Sequence, residues 1–346
     1  MRAVALKSGQ FHVRDDIPEP QPGFGQVLVQ VKACGICGSD LHFAEHGAEM
    51  MDLGKQMKGM PSFGESPDLD LDADVFMGHE FAAEVLEVGP DTEGPAAGTI
   101  VTSIPILLTT AGVRPIVYSN DLPAGYGARM LLSAPMLVEV PNGLDHRLAA
   151  LTEPMAVGLH AVNKANITPR DGALVLGCGP VGLAVIAALR LQGVETIVAT
   201  DFSPTRRSLA TAMGATDVVD PREEPAFEAW VRSGGTKPLV VFEAIGGPGI
   251  IDEVLRDAPH STRLVVVGVC MGTDHINPFF GISKELNIQF CLGYDPMEFA
   301  QTLRHIAEGE LDVEPLITGE VGLDGVADAF SALRNPDEHC KILVTP

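Results

Sequence analysis

Three short runs hold side chains that could do chemistry together. Cys34-Gly35-Ile36-Cys37-Gly38-Ser39-Asp40-Leu41-His42 carries two thiols, a hydroxyl, a carboxylate and an imidazole. Gly78-His79-Glu80 and Glu153-Pro154 add a second imidazole and two more carboxylates. Thiolate, imidazole and carboxylate are the ligand types of catalytic zinc, which keeps one position open for water or substrate. Spacing alone leaves other readings of Cys34 and Cys37 open: a redox dithiol, or half of a structural zinc site. No second C-x-x-C exists to complete a four-cysteine site, and the pair lacks the βαβ surroundings of a thioredoxin-like motif.

A second constellation is built from glycine. Gly177-Cys178-Gly179-Pro180-Val181-Gly182 reads G-x-G-x-x-G. It follows the apolar run Ala173-Leu174-Val175-Leu176 and opens a helical stretch, Val181 to Leu191, which is the setting a dinucleotide-binding loop requires. Gly177 permits the tight turn, Gly179 lets a pyrophosphate approach the backbone, and Gly182 lets helix and strand pack closely. Phosphate oxygens then meet free N–H groups at the positive end of the helix. The expected cofactor contacts are therefore Gly177, Gly179, Pro180, Val181 and Gly182. Asp201 lies 19 residues past Gly182, at the end of the next strand, where a carboxylate accepts hydrogen bonds from the adenine-ribose hydroxyls. It would repel a 2′-phosphate, which favours NAD over NADP. Arg206 reads either as a ribose contact or as part of a solvated helix face.

The elements that must position these groups fall into three parts. From Met1 to Val157, β-rich runs such as Gln26 to Val31 and Phe81 to Val88 alternate with Gly/Pro turns, as in a mostly antiparallel, barrel-like domain. From Gly158 to Gly293, the apolar strands Ala173–Leu176, Thr196–Thr200, Leu239–Phe242 and Leu264–Val269 alternate with helical stretches. That pattern implies a doubly wound parallel sheet. Residues 294–346 add an amphipathic helix near Phe299 to Ala307 and a final strand at Lys341–Val344. Gly47 to Asp74, rich in Met, Gly and acids, reads as a long loop, either a lid or a surface insertion.

Composition narrows the function further. With 23 Lys and Arg against 46 Asp and Glu, the formal net charge of −23 argues against nucleic acid and anionic membrane surfaces as partners. The apolar run Ala173 to Leu189 is broken by glycines and Pro180, so it is not a membrane span. Six cysteines in 346 residues do not make a disulfide framework, and a reducing, cytoplasmic setting is expected. Cys34 and Cys178 read as buried packing residues, and Cys270, Cys291 and Cys340 as core.

Taken together, the Cys-Gly-Ile-Cys-Gly-Ser-Asp-Leu-His run, Gly-His-Glu, Glu-Pro and the glycine loop resemble the zinc-dependent medium-chain alcohol dehydrogenase family. The likeness runs end to end, through Pro315-Leu316-Ile317-Thr318 and Asp328-Ala329-Phe330. It implies a GroES-like catalytic domain (1–157 and 294–346) split by a Rossmann domain (158–293), with the active site in the cleft between them. It carries over Cys37 and His79 as zinc ligands, and Glu80 as a neighbouring carboxylate that can enter the coordination shell. Glu153 stands where many relatives have a cysteine ligand; a glutamate there resembles the polyol, butanediol and threonine dehydrogenase branch, which implies that it binds zinc directly or through water. The resemblance also implies a proton relay from Ser39 to His42, backbone contacts from Gly268 and Val269 to the nicotinamide carboxamide, and a pyrophosphate contact near Lys341. The expected reaction moves a hydride between a secondary alcohol or polyol and NAD, zinc stabilising the alkoxide. The alternatives are an NADP-dependent carbonyl or enone reductase, or a non-catalytic relative. A homodimer or homotetramer follows from family habit. Two departures stand out. No cysteine occurs between Gly94 and Ala128, so the structural zinc of many relatives is expected to be missing. Cys37 and His79 are 42 residues apart, roughly twice the family interval.

Overall fold

In the N-terminal part, β-branched and small apolar residues form the strands. The computed structural model of this chain describes residues 1–56 and 69–346. Strand β1 (Gln26–Gly35) buries Val27, Val29, Val31, Ala33 and Cys34, and it leads into helix α1 (Gly38–Gln56). Strand β2 (Glu80–Val88) pairs antiparallel with β1, and Arg129–Ser133 also pairs with β1. A second sheet orders Gln10–Arg14, Ala3–Lys7, Val75–Met77 and Tyr118–Ser119.

The expected loop at Gly47 to Asp74 is corrected in its first part, because α1 continues to Gln56 with a bend at His46. Phe43, Gly47 and Met50 are buried at helical spacing and pack that stripe inward, with Leu41, Ala44 and Met51 half-buried against the same core. Residues 57–68 of that expectation lie outside the described residues. Between the two sheets, 106–115 forms a hairpin whose Leu107, with Ile116 and Tyr118 just beyond it, is buried.

Helix α2 (Thr152–Lys164) runs unbroken across the expected 157/158 boundary. It packs against helix α3 (Pro180–Leu191), which follows strand β3 (Gly172–Leu176). Strands β4 (Thr196–Thr200), β5 (Asp217–Val219), β6 (Leu239–Glu243), β7 (Arg263–Val266) and β8 (Asn287–Phe290) complete a parallel six-stranded sheet. Its order is β5-β4-β3-β6-β7-β8, the doubly wound arrangement with the chain reversing direction beside β3. β3 and β6 are buried along their whole length, which is why they read as continuous apolar runs. The strand expected at Leu264–Val269 stops at Val266. Val267 and Gly268 turn away and donate their N–H groups to the Glu243 carbonyl, 2.9 Å each.

Helix α4 (Pro296–Ala307) opens with a capping box between Asp295 and Glu298. The chain then returns to the first domain, where strand β9 (Lys341–Val344) joins β1 antiparallel and Ile317–Val321 parallel. On the way, the carbonyls of Pro336 and Asp337 accept hydrogen bonds from Ser203 Oγ (3.1 Å) and Thr205 Oγ1 (2.9 Å), just past β4. Cys34, Cys178 and Cys340 are buried as expected. Cys270 and Cys291 are only half-buried, because both lie past the ends of β7 and β8 rather than inside them. Among the described residues, no helix is long and apolar enough to cross a membrane.

Candidate metal centre

The turn from β1 into α1 sets the first donors. Gly35 lies against the Glu80 carboxylate, where any Cβ would collide with Oε2. Cys37 follows, and Asp40 in the first turn of α1 accepts the Cys37 N–H on Oδ2 at 3.1 Å. The other donors come from the turn into β2. Gly78 has φ +105, and a Cβ there would come within 2.8 Å of both Cδ1 and N of Tyr126, so only glycine fits before His79. Donor atoms of Cys37, His79 and Glu80 lie within 4.8 Å of one another.

The charges around this group are concentrated. His79 is nearly buried, with Nε2 3.5 Å from Ser39 Oγ and Nδ1 3.5 Å from Asp40 Oδ1. Among the described residues, both Nδ1 and that Oδ1 lack a hydrogen-bond partner. Burial alone would lower the His79 pKa, yet Asp40 and Cys37 together raise it well above the ordinary imidazole value. Burial also raises the Cys37 thiol, with Glu80 adding to it and His79 opposing. Burial works against the Asp40 carboxylate as well, but His79, Tyr126 and the Cys37 N–H hold its pKa below the usual value. The pocket therefore favours positive charge beside one sulfur, one nitrogen and carboxylate oxygens. A zinc ion fits both the charge and the donor chemistry.

Lys341, expected near a pyrophosphate, is engaged within the protein. Its ammonium is buried and donates to Ile36 O (2.9 Å) and to both Glu80 oxygens (2.8 and 2.7 Å). A buried amine needs such pairing, and Glu80 supplies it. Glu153, in the first turn of α2, lies outside the close group but within its field. Burial pushes its carboxyl up to about 7, with Glu80 reinforcing the shift and His79 and Lys341 opposing it. Tyr294 also lies near enough to Glu153 to oppose that rise. His42 is exposed on α1, three residues past Ser39.

The glycine loop is built as its motif requires. Gly177 has φ +89, and a Cβ on Gly182 would collide with the Gly177 carbonyl. Among the described residues, no atom lies within 4 Å of the missing Cβ of Gly179, so their packing is not what demands glycine there. Pro180 and Val181 form the first turn of α3 beside it. Asp201 accepts the Cys178 N–H on Oδ2 and the Ser203 N–H on Oδ1, each at 2.8 Å. Arg206 is half-buried and its Nε has no partner among the described residues, whereas Arg207 bonds the Asp201 and Phe202 carbonyls and Asp220. Gly268 and Val269 lie against Gly246, whose Cβ would come within 2.6–2.8 Å of the Val269 backbone.

Asp40, Tyr126 and Tyr294 were not anticipated. Asp40 stood inside the first run, and its spacing from Cys37, right for capping that N–H, was the available signal. Nothing local marks Tyr126 or Tyr294.

Two family profiles match this chain: the alcohol dehydrogenase GroES-like domain over residues 23–141, and the zinc-binding dehydrogenase family over residues 180–308. The chain is 31% identical to an (R,R)-butanediol dehydrogenase of Bacillus subtilis (strain 168), covering 99% of this chain and 100% of that protein. It is 27% identical to a sorbitol dehydrogenase of the same strain, covering 100% and 97%. A solved structure from Sinorhizobium meliloti 1021, bound to NADP, superposes with a TM-score of 0.83 at 28% identity and covers 100% of this chain and 99% of its own.

Proposed function

The chain belongs to the zinc-dependent medium-chain alcohol dehydrogenase family, and from that premise we propose that it is an NAD-dependent oxidoreductase of vicinal diols or related polyols with one catalytic zinc. The grouping of Cys37, His79 and Glu80 donor atoms within 4.8 Å, beside a serine hydroxyl, carries this reading. Cys37 and His79 would hold the zinc, with Glu80 and Glu153 supplying carboxylate oxygen. When bound, zinc supplies a Lewis acid that eases loss of a hydroxyl proton, and the nicotinamide supplies the hydride acceptor.

The remaining work belongs to the chain. Ser39 Oγ, 3.5 Å from His79 Nε2, takes the substrate proton, since a hydroxyl can donate and accept at once. His42, exposed on the same helix, passes it to water. Gly177, Gly179, Pro180, Val181 and Gly182 receive the pyrophosphate, Asp201 and Arg206 the adenine ribose, and Gly268 and Val269 the carboxamide. Asp201 supports NAD because its carboxylate repels a 2′-phosphate. The GroES-like part is assigned to residues 1–157 and 294–346 and the Rossmann part to 158–293. No structural zinc is assigned, since no cysteine occurs between Gly94 and Ala128 to ligate one. The sheet edge at β8 is exposed, with Phe290 and Leu292 at 65% and 70% accessibility, and supports pairing with a second copy. Light scattering should then give at least a dimer.

The deciding experiment assays purified, metal-quantified protein on vicinal diols and polyols with NAD and NADP. About one zinc per chain and turnover with NAD are expected. Protein that holds no zinc, or that prefers NADP, overturns the corresponding part of the proposal.

A further inference from the structure

Tyr126 lies 86 residues from Asp40 in sequence, and its hydroxyl donates to Asp40 Oδ2 at 2.6 Å. The same hydroxyl is 3.5 Å from the Gly35 carbonyl. The ring is 1% exposed and sits edge-on to Phe330, with centroids 6.1 Å apart. Its backbone is fixed too, because Tyr126 N–H bonds the Met77 carbonyl and Gly125 N–H bonds the Gly78 carbonyl. Tyr126 is therefore wedged between the turn carrying His79 and the helix start carrying Cys37, Ser39 and Asp40.

Asp40 has two oxygens and two kinds of neighbour. Oδ2 is occupied by the Tyr126 hydroxyl and the Cys37 N–H. Among the described residues, Oδ1 has no donor and faces His79 Nδ1, which has no acceptor, across 3.5 Å. We propose that Tyr126 is a positioning residue for the metal centre: by pinning Oδ2 of Asp40 it aims Oδ1 at Nδ1 of His79 and so leaves Nε2 as the imidazole's ligand atom. A carboxylate with one oxygen held cannot rotate freely, and the imidazole it faces keeps its proton on Nδ1. Partners behind a ligating histidine set its tautomer and orientation in this way. The same two N–H and O–H donors also tie Cys37 to this arrangement through Asp40. The inference rests on Cys37 and His79 holding the zinc.

The test removes one oxygen atom. Tyr126→Phe keeps the ring, and zinc affinity is read by competition with a chromophoric chelator on metal-free protein. The visible spectrum of cobalt-substituted protein and the melting temperatures with and without zinc are read alongside. Expected is a loss of zinc affinity of about 10- to 100-fold with an altered cobalt spectrum. The melting temperature should fall more with zinc than without it. In an Asp40→Asn background the further loss from Tyr126→Phe should shrink to about two-fold or less, since the route through Asp40 is already broken. Zinc affinity within about two-fold of wild type, or an undiminished loss in the Asp40→Asn background, overturns the inference alone. Wild-type protein that binds no zinc overturns the site assignment and this inference with it.

Discussion

At the donor cluster the working atoms belong to side chains, whereas at the glycine turn they belong to the main chain, and the two regions meet change in opposite ways. Around Cys37, His79 and Glu80, buried charges from both ends of the chain balance one another, and exchanging a side chain upsets that balance while leaving the backbone path available. Around Gly177 and Gly182 there is almost no side chain to exchange, and adding one moves the backbone itself. Chemistry is tuned in the first region, and shape is fixed in the second.

His79→Ala should break the contrast most sharply. It removes a donor and should cost several kcal/mol of transition-state stabilisation, on the order of 10³-fold in kcat/KM, with zinc lost by elemental analysis. Dinucleotide binding, followed by fluorescence quenching, should persist. Lys341→Met tests the charge balance itself. It leaves the Glu80 carboxylate buried without its ammonium, and denaturant unfolding should report a loss of about 3–5 kcal/mol. Gly182→Ala makes the converse change. The new methyl meets the Gly177 carbonyl, so stability should fall by about 1–3 kcal/mol and dinucleotide affinity with it, while zinc content stays unchanged. Ser39→Ala should keep the zinc and lower kcat by about 10²-fold, separating the relay from metal binding. The smallest effect is expected from Asp201→Ala, which should narrow the preference for NAD over NADP by about 10-fold in a two-cofactor assay.

The same contrast governs what the sequence alone could disclose. The glycine turn is local: its strand, three glycines and acid lie within about thirty consecutive residues, and β3, α3 and β4 matched the reading closely. The donor cluster was legible where its residues share a short motif, as with Cys37, Ser39, His79 and Glu80. It was illegible where partners arrive from afar. Lys341 reaches Glu80 across 261 residues, and Tyr126 reaches Asp40 across 86, with no local pattern to announce either. Helix α1 was missed for another reason. It buries only a narrow stripe, including Phe43, Gly47 and Met50, so its period is thin amid acids and glycines.

The pairing of Glu80 with Lys341 also sets an order of assembly. A nascent chain emerging from the ribosome exposes all the donor residues long before the ammonium that neutralises one of them is synthesised. The charge balance around Cys37, His79 and Glu80 is thus complete only once Lys341 is in place, and a product halted ahead of Lys341 would leave Glu80 without its counter-charge.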